Sequence, residues 1–384
     1  MTDRRLRLGM VGGGAGSFIG GVHRMAARLD DQYELVAGAL SSDPERARHS
    51  AAALHIEPDR AYADYETMAA SEAGRSDRID VVSVVTPNDS HAAICHAFLS
   101  RGIPVICDKP LCTSMQDARS LAELLGRTGL PFVLTHNYTG YPLVREARAR
   151  VLAGELGTIR VVQVEYPQEW LAEALEQTGQ KQAAWRTDPA RSGPGGSVGD
   201  IGTHAHQLAG FVTGLRLESV AADLSSFVPG RRLDDDARML LRYEGGARGM
   251  LWCSQVAPGC ENGLRLRVFG DKGGLEWLQA EPNVLHFSPL GQPTRRLTRG
   301  MPGLSEAAAN ATRIPAGHPE GYLEAFAQIY TDAAALLRSW LAGTPSGDAG
   351  ALLPGIEDGL RNVAFIDAVI ASHKADAAWT RLEI

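Results

Sequence analysis

The chain has 384 residues, of which 44% are hydrophobic and 22% charged, as in an ordinary soluble globular protein of about two domains. Its formal net charge of −7 argues against a surface that binds nucleic acid or an anionic membrane. The five cysteines include no Cys-x-x-Cys pair, so neither a disulfide framework nor a zinc site is predicted.

The N-terminal segment is basic, but its apolar run ends at Gly12. This is too early for the hydrophobic stretch of roughly 7–15 residues that an export signal needs. No other stretch approaches about 18 consecutive apolar residues, so we expect no membrane span. The small number of cysteines also fits a reducing compartment. The chain is therefore expected in the cytoplasm.

The first predicted strand, 6–11, runs into a glycine-rich turn at 12–20, and a helix follows through 29. Glycines let the main chain approach a pyrophosphate, and a helix N-terminus attracts negative charge. This position favours dinucleotide binding over a plain turn, although the usual gap before the third glycine is expanded. The residues predicted to hold the dinucleotide here are Gly12, Gly14, Ser17, Phe18 and Ile19.

The second predicted strand, 34–40, is followed by Ser41 and Ser42, and Arg46 lies about one helical turn further on. An acidic residue at this place normally binds the ribose 2′-hydroxyl of NAD, whereas a nearby arginine accommodates the 2′-phosphate of NADP. The pattern favours NADP over NAD. The alternative is that these residues only cap and flank the next helix.

The third predicted strand, 79–85, is almost continuously β-branched, as expected for a strand buried on both faces. It ends in the turn Thr86-Pro87-Asn88-Asp89-Ser90-His91, which leads into a helix over 92–100. Asn88 and Ser90 are ordinary helix caps. They also follow the carboxyl end of a strand, where ligands of parallel sheets bind.

A short strand at 104–107 leads into Asp108-Lys109-Pro110. Proline lacks an N–H and disfavours helix in the preceding residue, so the chain must leave the sheet at Lys109. This position makes Lys109 a candidate functional residue, with a surface lysine at a strand exit as the alternative. Because strands alternate with helices throughout residues 1–135, we predict a doubly wound, Rossmann-type parallel sheet in an α/β fold.

Residues 136–384 have a different pattern. Segments 159–165 and 264–269 alternate apolar and polar residues, which indicates antiparallel strands with one face against helices and the other polar or packed on a partner. We predict an α+β domain with a large open, mostly antiparallel sheet. Further strands are predicted at 220–227, 238–243 and 249–254, helices at 143–153, 321–341 and 360–373, and a loop-rich region at 282–313. The helices at 321–341 and 360–373 are expected to cover the sheet or to pack on the first domain.

Asp200 and His204 are four residues apart, so on a helix they would share one face. A carboxylate one turn before a histidine is the orienting partner that a general base needs. The alternative is a histidine that belongs to the core. His204 and His206 would point to opposite sides of a helix, so no metal site is predicted.

The polar segment 177–189 contains Lys181, Trp185 and Arg186. A tryptophan stacks well on a sugar ring, and two cations suit hydroxyl groups or an anion. We interpret the segment as a substrate loop, with an ordinary surface loop as the alternative.

In combination, these motifs resemble the glucose–fructose oxidoreductase / inositol dehydrogenase / MocA (Gfo/Idh/MocA) family. The marks of the family are the glycine-rich first turn, the Thr-Pro-Asn-x-x-His turn at 86–91, and a strand that ends in Glu-Lys-Pro, here Asp-Lys-Pro at 108–110. The Asp and His at 200 and 204 are a further mark, in the second domain. The resemblance covers nearly the whole chain.

The resemblance implies a nicotinamide cofactor, a sugar or polyol substrate, catalytic roles for Lys109 and His204, and a homodimer or homotetramer formed through the sheet of the second domain. Ser41 with Arg46 is similar to the pattern of NADP-using members. The implied cofactor site comprises Gly12, Gly14, Ser17, Phe18, Ile19, Ser41, Ser42, Arg46, Thr86, Pro87, Asn88, His91, Asp108, Lys109 and Asn137. The implied substrate site comprises Lys109, Tyr138, Tyr166, Lys181, Trp185, Arg186, Asp200, His204, His318 and Tyr322.

Oxidising a secondary alcohol by hydride transfer requires a base for the hydroxyl proton and a cation for the developing alkoxide. We predict His204 as the base, Asp200 as the residue that orients it, and Lys109 as the cation that hydrogen-bonds the reacting oxygen. The expected activity is that of an NAD(P)-dependent sugar or polyol dehydrogenase.

Two other functions are compatible with the sequence. A cofactor-assisted glycosidase would oxidise a sugar carbon, eliminate the aglycone, add water and return the hydride. A tyrosine such as Tyr138, Tyr141 or Tyr166 would then move the additional protons, and Lys181 with Arg186 would bind an anionic sugar such as a sulfosugar glycoside. The second of these functions is a redox-sensing binding module without catalysis. The presence of the catalytic residues named above argues against it.

Overall fold

The computed structural model describes residues 4–345, 347 and 350–384. The chain forms two units, one comprising Met1–Asn137 with Phe326–Leu360 and the other Tyr138–Ala325 with Arg361–Ile384. The sequence predicts a boundary two residues earlier and leaves open whether the helix at 321–341 covers the sheet or packs on the first domain, whereas the structure groups 326–360 with the first unit. Periodicity shows that a helix is amphipathic but not which core its apolar face will cover.

The first unit alternates strands and helices. Its elements are β1 (Leu6–Gly12), α1 (Phe18–Leu29), β2 (Tyr33–Ala39), α2 (Pro44–Ala53), α3 (Tyr65–Ala73), β3 (Val81–Val85), α4 (His91–Leu99), β4 (Val105–Cys107), α5 (Met115–Thr128) and β5 (Phe132–Leu134). The strands pair in parallel in the order β2-β1-β3-β4-β5. This confirms the predicted Rossmann-type sheet.

Local sequence explains these elements. Every residue of β3 (Val-Val-Ser-Val-Val) is buried, as expected for a strand covered on both faces. Ser17, Asp43, Asp64 and Ser114 cap α1, α2, α3 and α5, each accepting a hydrogen bond from the main-chain N–H three residues later. Such caps satisfy N–H groups that have no partner inside the helix, so the sequence determines where these helices begin.

The second unit is built on one large sheet. Its strands are β6 (Ile159–Pro167), β7 (Leu217–Ser225), β8 (Asp236–Tyr243), β9 (Arg248–Ser254), β10 (Arg265–Gly270), β11 (Gly273–Leu278), β12 (Val284–Pro289), β13 (Arg295–Thr298) and β14 (Thr380–Arg381). Within the described residues these nine strands lie in the order β13-β12-β11-β10-β6-β9-β8-β7-β14. Only β6 and β9 pair in parallel, so the mostly antiparallel sheet is confirmed.

One face of this sheet packs against helices. The helices of the unit are α6 (Pro142–Leu152), α7 (Lys181–Arg186), α8 (Pro189–Ser192), α9 (Thr203–Thr213), α10 (Glu306–Asn310) and most of α12 (Ile356–Lys374). The long helix α11 (Tyr322–Leu341) belongs mostly to the first unit. Helix α9 contacts β6, β9 and β10, while α6 contacts β11 and β12. Leu264, Leu266 and Val268 are buried on this side, as their alternation predicts.

Two sequence interpretations need correction. The region 282–313 is not loop-rich, because it holds β12, β13 and α10; these elements are too short for periodicity to reveal them. The segment 177–189 is not a simple loop, because Gln180 caps the short helix α7 within it. Among the described residues, no helix is long and apolar enough to cross a membrane.

Candidate active site

The glycine-rich turn after β1 is packed too tightly for side chains. Gly12 and Gly13 have positive φ angles of 80° and 74°, a conformation that favours glycine. A Cβ on Gly20 would lie 2.3 Å from the Cα of Gly13, so Gly20 lets the first turn of α1 pack against the end of β1. This leaves bare main chain beside a helix N-terminus, which fits a dinucleotide pyrophosphate.

The glycine turn is joined to the end of β2. The Gly14 N–H donates to the carbonyl of Leu40 at 3.1 Å. Beyond it, the Ser41 hydroxyl accepts from the Asp43 N–H at 3.1 Å, and Asp43 accepts from the Arg46 N–H at 2.7 Å. The predicted residues Phe18, Ser42 and Arg46 are exposed, and Ile19 is half-buried.

The turn after β3 is held by its own side chains. Ser90 donates to Thr86 Oγ1 at 2.7 Å. His91 is fully buried, and its ring nitrogens lie 2.8 Å from the Pro110 carbonyl and 2.9 Å from the Thr86 carbonyl. The ring thus links this turn to the segment that carries Lys109. The other predicted cofactor residues of the first unit follow strand ends, Pro87 and Asn88 after β3 and Asn137 after β5.

Asp108 points into the interior rather than outward. Its carboxylate accepts from Thr135 Oγ1 at 3.0 Å and lies 3.6 Å from His23 Nε2. Burial by itself would raise the pKa of Asp108, but the hydrogen bond and charge of His23, with the charges of Lys109 and His91, hold that pKa at about 2. The carboxylate is therefore ionised, and Lys109 follows it half-buried at the end of the strand.

In the second unit, Asp200 lies in a turn of π-helix, Val198–Gly202, that continues into α9 at Thr203. A π-turn closes its hydrogen bonds over five residues instead of four. Asp200 and His204 therefore do not have the offset of an ideal α-helix that their spacing predicts. Single π-turns inserted in helices are frequent at functional sites.

The start of this π-turn is fixed by Asp234, a residue that sequence reasoning does not single out. Its carboxylate accepts from the Gly196 N–H at 2.6 Å, the Ser197 hydroxyl at 2.6 Å and the Val198 N–H at 2.9 Å. A Cβ on Gly196 would lie 2.0 Å from the Asp234 carbonyl oxygen. These contacts fix the start of the helix that carries His204.

Asp200 contacts polar side chains of two other elements. It accepts from Gln255 Nε2 at 2.9 Å and lies 3.4 Å from Arg186 Nε. The same guanidinium lies over the ring of Trp185, 4.3 Å from its centroid. Arg186 therefore already has a carboxylate partner, and one face of Trp185 is covered, whereas Lys181 is exposed. The sequence does not indicate that Gln255 belongs to this group.

His204 lies against two buried tyrosines. Its ring centroid is 5.0 Å from that of Tyr138 in an edge-to-face arrangement and 6.2 Å from that of Tyr166. The two phenol hydroxyls hydrogen-bond each other. Burial raises the pKa of both tyrosines, and the neighbouring Tyr138, Tyr322 and Asp200 raise that of Tyr166 further. Both phenols therefore stay protonated near neutral pH. The structure thus groups His204, Tyr138, Tyr166, Tyr322 and Asp200, and Asp200 connects this group to Arg186 and Trp185.

The predicted residue His318 lies on an exposed loop that hydrogen bonds from the buried Arg299 hold in place. Arg299 donates to the carbonyls of Ile314 (2.7 Å) and His318, and pairs with Glu320 at 2.7 Å. Arg299 and Glu320 are both buried. No feature of the sequence distinguishes Arg299 from the other basic residues. The described residues contain no group of three or more potential metal ligands.

Comparisons with known proteins cover both units. Residues 6–147 match the oxidoreductase family model with an NAD-binding Rossmann fold, and residues 144–276 match the GFO/IDH/MocA C-terminal domain. The uncharacterized oxidoreductase YfiI of Bacillus subtilis is 34% identical, over 100% of this chain and 98% of YfiI.

Two solved structures are similar over almost their full length. An oxidoreductase from Sinorhizobium meliloti is 51% identical with a TM-score of 0.88, covering 98% of this chain and 99% of the other. An inositol dehydrogenase homolog from Azotobacter vinelandii, complexed with NADH and myo-inositol, is 37% identical with a TM-score of 0.92. That alignment covers 99% of this chain and 98% of the other.

Proposed function

The chain belongs to the Gfo/Idh/MocA family of NAD-binding oxidoreductases, and from this premise we propose that it is a sugar or polyol dehydrogenase. It would transfer a hydride between a nicotinamide cofactor and a secondary hydroxyl or ketone. The observation that carries this proposal is the group formed by His204 with the protonated phenols of Tyr138 and Tyr166. The myo-inositol bound to the homolog from Azotobacter vinelandii supports a polyhydroxylated substrate.

The residues of this chain divide the chemistry between them. His204 takes the hydroxyl proton of the substrate, and Asp200 favours the charged imidazole that results. Lys109 donates a hydrogen bond to the reacting oxygen and stabilises its developing negative charge. A nicotinamide cofactor held at the glycine-rich turn would supply the hydride acceptor. The phenols of Tyr138 and Tyr166 donate hydrogen bonds to substrate hydroxyls, since their raised pKa values keep them protonated.

The cofactor-assisted glycosidase needs an additional base for elimination. Burial raises the pKa values of the tyrosines named for this role, so they stay protonated at neutral pH and are not available as bases. Arg186 is already paired with Asp200, which leaves Lys181 as the cation available for an anionic sugar. These observations favour the dehydrogenase.

The reaction class is tested by its stoichiometry. We expect a panel of sugars and polyols to include one that reduces the oxidised cofactor mole for mole, seen as a new near-ultraviolet absorption band. The alcohol loses one hydride to the cofactor and one proton to His204, so no water is consumed. Release of phenol from an aryl glycoside without net reduction would instead establish the glycosidase. Cofactor binding without turnover of any substrate would indicate a binding module.

For the cofactor we propose a preference for NADP. The residues that directly follow β2 are Leu40, Ser41 and Ser42, and none of them is acidic. Asp43 caps the helix α2, and Arg46 is exposed in its first turn. We expect Arg46→Ala to raise the KM for NADP about 10-fold and the KM for NAD by less than about 2-fold, since only NADP carries the 2′-phosphate. Ser41→Asp should shift the preference toward NAD. Arg48→Ala, on the same exposed helix, is the control, and an unchanged ratio of kcat/KM in Arg46→Ala would contradict the proposal.

We also propose a homodimer or homotetramer formed through the open face of the large sheet. Exposed apolar side chains pair across strands there, Leu240 with Met250 and Val161 with Phe269. Such neighbouring apolar residues on an open face are typical of an interface. We expect Leu240→Glu to lower the molar mass measured by light scattering. The control is Leu152→Glu on α6, another exposed leucine; an unchanged mass in Leu240→Glu would exclude this face.

A further inference from the structure

A buried polar network lies directly beneath the segment that carries Lys109. It joins five side chains from different elements of the first unit, all of them buried: His23 in α1, Ser83 in β3, Asp108 after β4, Thr135 after β5 and Tyr330 in α11. Sequence analysis singles out Asp108 alone from this group. The proposed mechanism uses none of the five.

The network consists of hydrogen bonds on either side of one ion-pair contact between His23 and Asp108. His23 Nδ1 lies 2.8 Å from the Tyr330 hydroxyl, which lies 2.9 Å from Ser83 Oγ. On its other side, His23 Nε2 lies 3.6 Å from Asp108 Oδ1, to which Thr135 donates at 3.0 Å. The ring of Phe326 packs edge-on against His23 at 4.7 Å between centroids. Each member therefore has a fixed neighbour on at least one side.

An ionised carboxylate is an unusual group to bury at the end of a parallel strand. Its burial costs free energy unless hydrogen bonds and opposite charges compensate. Asp108 has the compensation of Thr135 and His23, and the charges of Lys109 and His91 act on it as well. The charge has no role in the packing of the sheet, because the residues of β4 that precede Asp108 are apolar and buried. Polar groups that break the local pattern in this way concentrate at functional sites.

We propose that Asp108 is a positioning residue for Lys109, and that His23 and Thr135 hold it in place. The Asp108 N–H also donates to the Val84 carbonyl at 2.9 Å. Because the main chain and the side chain of Asp108 are both held in place, the Cα–Cβ bond of Lys109 has a single direction. The inference rests on the proposed function, because it assigns to Lys109 the role of binding the reacting oxygen.

His23 adds a second consequence. It belongs to α1, the helix that begins at the glycine-rich turn. One buried network, in which a 3.6 Å ion-pair contact joins His23 to Asp108, thus links the helix at the proposed pyrophosphate site to the segment that carries the lysine at the proposed reacting oxygen. A change in His23 is expected to act on turnover through Asp108, without contact with cofactor or substrate.

The test uses variants that alter one hydrogen bond. We expect Thr135→Val and Asp108→Asn to lower kcat by about 10- to 100-fold, the loss that a small misplacement of a reacting group causes. The Kd of the cofactor should change by less than about 3-fold, because the glycine turn stays intact. Thr135→Ser and His23→Gln keep a donor to the carboxylate and should retain most of the activity. The contrast between Thr135→Val and Thr135→Ser is the rescue that a purely packing role would not show.

A double-mutant cycle identifies the residue through which Asp108 acts. In a Lys109→Ala background, Asp108→Asn should cause no further loss of kcat, because the group it positions is gone. The rate at which an amine-reactive reagent labels Lys109, followed by peptide mass spectrometry, should change in Asp108→Asn and Thr135→Val but not in Thr135→Ser. This second measurement needs no substrate.

The outcomes separate the two proposals. An inactive wild-type enzyme whose Lys109 labelling responds to these variants would overturn the proposed function and leave the positioning role standing. Full kcat in Thr135→Val and Asp108→Asn, or equal losses with and without Lys109, would overturn the positioning role. If Asp108→Asn fails to fold, the comparison of Thr135→Val with Thr135→Ser decides the question.

Discussion

Replacing His204 with alanine is expected to lower kcat by a factor on the order of 10² or more, the usual contribution of a general base. The ring lies in the first turn of α9, against the rings of Tyr138 and Tyr166. Lys109→Ala should cause a loss of similar size, because the developing alkoxide loses its cation. Steady-state kinetics on the folded, cofactor-binding variants would measure both effects.

Matched controls exist for both substitutions. His206 lies in the same helix, but its ring stacks on Phe365 at 4.4 Å and its Nδ1 lies 2.8 Å from Asn362 Oδ1. His206→Ala should therefore lower stability and leave kcat within about 3-fold of wild type, as expected for a residue remote from the chemistry. Lys374, exposed at the end of α12, is the control for Lys109. A kcat close to wild type in His204→Ala or Lys109→Ala would remove that residue from the mechanism.

The second large effect is expected in Arg299→Ala. The guanidinium is paired with Glu320 at 2.7 Å and also donates to Asn283 Oδ1 at 2.7 Å, and both charged side chains are 2% exposed. Removing one partner of a buried ion pair leaves the other charge uncompensated, which typically costs about 3–5 kcal/mol. We expect a loss of that size in the free energy of unfolding, measured by urea denaturation at unchanged m value.

The same substitution tests the role of the loop that carries His318. Arg299 donates to its carbonyls, so Arg299→Ala should also raise the KM for the substrate at temperatures where the variant is still folded. Arg296→Ala is the control, because Arg296 lies in the neighbouring strand β13 and is exposed. A stability within about 1 kcal/mol of wild type would mean that the N–H groups of Arg313 and Ile314, which donate to Glu320 at 2.8 and 2.9 Å, compensate its charge without Arg299.

The glycine turn shows how far a local pattern can be interpreted. Its position between a strand and a helix predicts a main chain that can approach a pyrophosphate, and the structure adds that Gly20 packs against Gly13 too closely for a side chain. The caps at Ser17 and Asp43 are likewise predictable from adjacent residues alone. The short strands β11 to β13 cannot be predicted in this way, because their alternation of apolar and polar residues is brief. Each of them pairs with a strand on the other side of a turn, and not with its immediate sequence neighbours.

Arg186 shows the opposite case. Its place in a polar segment predicts a cation available to an anionic substrate, but the fold brings it to Asp200. The same applies to Asp108, whose motif predicts a residue at the cofactor and whose carboxylate lies against His23 and Thr135. A sequence pattern indicates which chemistry a side chain offers, but its partner is often a residue far along the chain.

The sequence by itself therefore determined the Rossmann-type sheet, the glycine turn, the family and the candidate residues Lys109, Asp200 and His204. These depend on β-branched runs, on glycine and proline conformations and on caps, which act within a few residues. Only the tertiary structure decided the pairing of Arg186, the inward Asp108, the clamp at Arg299 and the assignment of 326–360 to the first unit. The physical reason is that a buried charge or an apolar face is satisfied by whatever the folded chain places beside it.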